Sequence, residues 1–150
     1  MWLSLLLVGC PTPDTCRPMD TPEALLGWGE SRFEAPADGA EVELVFGSQG
    51  GFHLPLAVDA IGLDTSELVV GNFVGLVDGV EVARGEPWLD FRCNPVTATQ
   101  QSWNILLFFE IDANREDFFG RDIDVSGSLR DAMGREVLLE ATMTIADGSN

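Results

Sequence analysis

Three cysteines (Cys10, Cys16, Cys93), one histidine (His53) and twenty-five carboxylates against eight basic residues carry whatever covalent, metal or acid–base chemistry this chain does. Serine nucleophiles lack a Gly-x-Ser-x-Gly elbow to work from. A Cys93–His53 pair needs two separate strands to bring thiol and imidazole within hydrogen-bond reach. For zinc, His53 stands 37 residues after Cys16 and 40 before Cys93, which fits no tetrahedral ligand spacing. The Gly50-Gly51 pair lacks the following Lys-Ser/Thr and helix of a phosphate loop, so the glycines are read as turn residues and His53 as an exposed or half-buried side chain bonded to that turn. Asp112, Asn114, Glu116 and Asp117 start like a calcium loop, with oxygen ligands at alternate positions. The loop then departs from the EF-hand rule, with Asp117 in place of the invariant Gly and Ile123 at the twelfth place, which leaves calcium a weak candidate. No catalytic residue is assigned and no cofactor is expected.

Binding is the better-supported chemistry. Trp28 and Trp88 lie off the apolar stripes, and an exposed indole face can stack on a sugar ring. Gln49 and His53 flank the glycine turn as further candidate contacts. Paired carboxylates of the glycosidase kind carry no signal here, because so many acids guarantee some close pairs by chance.

The composition bounds the rest. The chain has 150 residues, enough for one domain of ordinary size, and a net charge of −17. That balance excludes capture of nucleic acid, where Lys and Arg must displace counterions from phosphates. It equally excludes docking on anionic lipid through a polybasic patch. Hydrophobic residues at 45% and charged ones at 22% describe a globular chain and not a disordered one. Dense carboxylates keep such a domain hydrated and favour the monomer.

Met1 to Val8 is uncharged and apolar apart from Ser4, too short to span a bilayer, which takes about 20 apolar residues. It matches the lower end of a secretory apolar region, roughly 7–15 residues. Leu7-Val8-Gly9-Cys10 resembles the lipobox of bacterial lipoproteins, though no Lys or Arg precedes the apolar run. The resemblance implies cleavage before Cys10 and lipidation of its thiol. Residues 1–9 would then be the signal peptide, 10–22 a Pro-rich tether and 23–150 the folded domain. It further implies export to the cell envelope of a Gram-negative bacterium, at the outer membrane or periplasmic face. In that oxidising compartment the two remaining cysteines, Cys16 and Cys93, suggest one disulfide. The alternative is a free Cys93 packed as a small hydrophobe.

The elements that must position these residues are strands. Val42, Leu44 and Phe46 alternate, and Phe52, Leu54, Leu56 and Val58 follow the glycine turn. Pro55 confines that second strand to an edge or a bulge. Leu68, Val70, Val74 and Leu76 share a face, and Asp78-Gly79 signals a two-residue hairpin into Val80–Ala83. Trp88–Cys93 reads as a short strand, with Leu89, Phe91 and Cys93 on one side and Trp88, Asp90 and Arg92 on the other. Trp103, Ile105, Leu107, Phe109 and Ile111 line a central strand, with Leu106 and Phe108 on its other face. Ile123, Val125 and Leu129, then Val137 to Ile145 after Asp131–Gly134, form a closing pair. Helix is expected only as a turn or two near Pro22–Leu26 or Arg115–Phe119.

Seven to nine short strands at this spacing predict an all-β, antiparallel sandwich. Val125–Arg135 resembles the late hairpin of bacterial immunoglobulin-like domains, which implies an Ig-like architecture. Gly47–His53 resembles a Gly-x-Gln-Gly-Gly-aromatic-His turn of bacterial lipoproteins of this size, a likeness that brings no activity with it. The expected function is a lipid-anchored, non-enzymatic binding or structural module with a protein or glycan partner. The alternatives are a small envelope hydrolase using acidic residues and a glycan-binding sandwich.

Overall fold

A computed structural model describes residues 16–37, 40–48 and 50–147, and Cys10 and Gln49 lie outside these. The strands are β1 (Glu23–Trp28), β2 (Glu41–Val42), β3 (Val45–Phe46), β4 (Phe52–Ile61), β5 (Val69–Val77), β6 (Val80–Gly85), β7 (Trp88–Leu89), β8 (Arg92–Asn94), β9 (Thr99–Phe109), β10 (Asp122–Arg130) and β11 (Glu136–Ile145). Helix is confined, among the described residues, to one 3₁₀ turn at Arg115–Phe118. The segment at Pro22–Leu26 is strand instead, because β1 pairs along its whole length with β4. The fold is all-β, as expected. Seven strands have six residues or more, and the other four are short rungs of two or three.

Strand order runs β1-β4-β9-β6-β5-β10-β11-β2. The layer β1-β4-β9 folds over β5-β10-β11, and β1 packs on β11 across the core. The arrangement is sandwich-like, with two layers enclosing one core. The layers are joined by β6, which pairs with β5 and, through Ala83 and Arg84, with β9. The near-barrel so formed is mixed and not wholly antiparallel, since β2 runs parallel to β11 through Glu41↔Thr144 and Val42↔Ile145. That pairing also divides the strand expected over 41–46. Its first half joins the β11 edge, its second half joins β4, and no single straight strand reaches both. Val42 is therefore buried while Phe46 is exposed.

The core follows the alternation in β10, β11 and residues 105–109 of β9, and departs from it in β5 and in the first half of β9. The inward residues of β5 are Val69, Gly71, Phe73, Gly75 and Val77, which leaves Leu68 and Val70 outside. The reason is volume. A Cβ on Gly71 would stand 2.7 Å from the Phe73 ring, and one on Gly75 would stand 2.8 Å from Ile123 Cδ1. Neighbouring bulk fills the space above these glycines, so the less apolar-looking face of the strand is the buried one. Phe52, Phe109 and Phe118 close one end, with ring centres 4.8 to 6.0 Å apart in the tilted arrangements that aromatic quadrupoles favour. At the β5–β6 hairpin Asp78 and Gly79 have φ of 51° and 78°, the left-handed pair that a two-residue turn requires.

Candidate functional site

Pro55 leads to the site. The strand carrying it, β4, lies between β1 and β9 and is no edge; a bulge follows between Leu56 and Val58. The ring is tolerated because Pro55 turns its carbonyl toward Gly29, whose N–H donates to it at 2.9 Å, just past the end of the β1 ladder. In an antiparallel strand the N and O of one residue face the same side. Pro55 therefore makes no ladder bonds with Leu106, its partner on β9. The N–H and C=O of Leu106 consequently face the opposite edge of β9.

Along that edge β9 has partners only at its two ends. Arg92–Asn94 of β8 pair with Thr99–Gln101, and Ala83 and Arg84 of β6 pair with Phe108 and Phe109. No strand among the described residues lies beside 102–107 there. The chain leaves β9 at Gly85, detours through β7 against β5, and returns at Arg92. At Gly85 an added Cβ would lie 2.7 Å from the Leu106 oxygen, so the close departure requires glycine.

The opening so framed is a cleft of about 420 Å³ lined by Glu86, Trp88, Asp90, Arg92, Trp103 and Phe108 among others. This is within the usual range of ligand pockets, roughly 300–1,000 Å³. Trp88 is 73% exposed and Phe108 53%, so two aromatic faces stand bare at one opening. Trp103 joins them through an irregularity that its sequence pattern hides. Asn104 has a φ of 55° and donates its N–H to Gly29 O, which shifts the alternation of β9. Gln100 and Ser102 then point inward, and Trp103 faces the cleft instead of the core. Arg92 lies over the Trp103 ring, 5.5 Å from its centre, within cation–π range.

The other predicted residues distribute differently. Cys16 and Cys93 form a disulfide with Cα atoms 5.8 Å apart, which fixes β8, and with it one end of the cleft, to the start of the described chain. Trp28 is half-buried against the core and lines no part of the cleft. The glycine-turn reading of His53 is corrected: the residue is buried, tilted against Phe108 at 5.7 Å, and its Nδ1 has no hydrogen-bond partner. It is buried because both faces of β4 are covered. Burial pushes its pKa below the usual imidazole range, opposed by Glu30. Asp112, Asn114, Glu116 and Asp117 lie in the connection between β9 and β10. Asn114 caps the 3₁₀ turn by accepting from the Glu116 N–H, and no three carboxylates, histidines or cysteines converge on a metal position among the described residues.

Glu86 and Asp90 line the cleft and are both exposed. Glu86 also lies 3.8 Å from Arg84. Among the described residues the buried carboxylate is Asp131, in an ion pair away from the cleft. Comparison with protein-family models, curated proteins and solved structures finds no match.

Proposed function

We propose that this protein is a non-catalytic binding module of the cell envelope, lipid-anchored at Cys10, whose ligand is a saccharide held in the cleft beside β9. The observation that carries the reading is the interrupted ladder, with the bare rings of Trp88 and Phe108 beside the unpaired rung of Leu106. Sugars present C–H faces that stack on aromatic rings and hydroxyls that both donate and accept. The site supplies both kinds of partner. Its shape also favours a compact ligand over an extended peptide, since β6 and β8 close the gap at both ends where an added strand must run on.

Cys16 lies six residues after Cys10 in the sequence, a reach of at most about 20 Å at full extension. With Cys16 joined to Cys93, an acyl anchor at Cys10 would keep the cleft near the bilayer surface. Mass spectrometry of the protein purified from membranes should give an acylated Cys10 at the amino terminus; an intact Met1 there defeats the anchor. On a glycan array, Trp88→Ala should weaken binding by about two- to tenfold, since aromatic stacking contributes about 0.5–1.5 kcal/mol. The same array should be indifferent to Trp28→Ala. Binding that survives Trp88→Ala unchanged, or no binding to any glycan, overturns the saccharide reading.

A further inference from the structure

The charged lining of the cleft points to the kind of saccharide it takes. The chain carries twenty-five carboxylates and eight basic residues, so a guanidinium without a carboxylate neighbour goes against its composition. Arg84 pairs with Glu81 and Glu86, Arg121 with Asp78, Arg32 with Glu34 and Arg135 with Asp131. Arg92, like Arg115 and Arg130, has no ion-pair partner among the described residues, and of these three it is the one that lines the cleft, together with Asp90 and Glu86. Its contact is with the Trp103 ring. Such a contact occupies the charge and leaves the N–H fork free, and the fork matches the two oxygens of a carboxylate.

Three features hold this group in place. Arg92 belongs to β8 and is paired with Gln101 of β9. The next residue, Cys93, is tied to Cys16. Trp103 comes from the shifted half of β9 and holds the guanidinium from the other side. A donor fork fixed in advance loses less entropy on binding than a free one. The net charge of −17 repels anions at long range, yet at physiological ionic strength that field is screened beyond about 8 Å. Inside the cleft the Arg92 fork acts against Asp90 and against Glu86, whose charge Arg84 offsets in part from 3.8 Å.

We infer that Arg92 makes the cleft selective for saccharides bearing a carboxylate, such as uronic acids or lactyl-substituted amino sugars, over their uncharged counterparts. This rests on the cleft being a saccharide site. The test uses the disulfide-intact protein on an array of matched pairs: glucuronate with glucose, galacturonate with galactose, mannuronate with mannose, and N-acetylmuramic acid with N-acetylglucosamine. For the pair bound best, titration calorimetry should give the acidic member an affinity about tenfold tighter at 0.15 M salt. Arg92→Gln should abolish that difference, the acidic member losing about tenfold more affinity than the neutral one. Arg92→Lys, which keeps charge but loses the fork, should restore only part of it. Equal binding of both members by the unsubstituted protein, or a preference that persists in Arg92→Gln, overturns the inference and leaves the saccharide reading standing. Absence of binding to every pair overturns both.

Discussion

Replacing Cys93 by serine is expected to lower the unfolding free energy by about 4–5 kcal/mol, through the loop entropy returned to the unfolded chain. The bridge closes a sequence separation of 77 residues, long enough for that term to be large against the roughly 5–15 kcal/mol stability of a typical domain. Cys93 is exposed, so the serine costs little packing and the difference reports the cross-link itself. Urea unfolding of both proteins, each with and without reductant, checks this. Reductant should bring the unsubstituted protein down to the level of the variant and leave the variant unmoved. Equal midpoints for the two oxidised samples would show that the bridge contributes nothing. The local effect should be as marked, because β8 is three residues long and its ladder contacts are with β9 alone. Amide exchange at 92–94 and 99–101 should accelerate on reduction well before β10 and β11 respond.

Asp131→Ala should cost about 3 kcal/mol, at the lower end for breaking one partner out of a buried pair, since Arg135 remains partly open to water. The carboxylate is buried and accepts the N–H groups of Asp64, Met133 and Arg135, together with the Arg135 guanidinium at 2.6 Å. The same guanidinium donates to Gly62 O and Met19 O, so one ion pair joins the turn after β10 to the end of β4 and to the segment leading into β1. Burial by itself raises the Asp131 pKa. The hydrogen bonds from Arg135 and the backbone amides outweigh it, and the carboxyl ends below its ordinary value. A folded pKa below the unfolded one means stability that is complete above about pH 4 and lost as pH falls through the folded value. The gap between the unsubstituted protein and Asp131→Asn should therefore be widest near neutrality and narrow in acid. Urea midpoints from about pH 7 down to pH 2.5 measure it. A gap constant over that range would remove the ion pair as its cause.

Much of the fold is legible in side-chain alternation, and the exceptions have physical causes. Ile123, Val125 and Leu129 of β10 and Leu139, Met143 and Ile145 of β11 are buried as their spacing predicts, because a regular ladder keeps a period of two. The inward face of β5 is hidden because two of its residues are glycines whose space Phe73, Ile123 and Leu107 occupy. At Trp88–Cys93, Leu89 is buried and Trp88, Asp90 and Arg92 line the cleft as their spacing predicts, whereas Cys93 is exposed, and the segment is two short strands and not one. Trp103 is misplaced by the sequence pattern because one residue with positive φ, Asn104, resets the phase of β9. The cleft itself has no signature in the chain. It exists where β6, β7 and β8 leave the middle of β9 uncovered, and a local pattern does not record which neighbour is missing.

The interruption beside β9 also bears on self-association. Unpaired backbone usually invites a second copy to dock edge to edge and extend the array without end. Here the exposed rung is hemmed in by β6 and β8. A gap closed at both ends admits a guest of fixed size and gives a growing fibril nothing to propagate along.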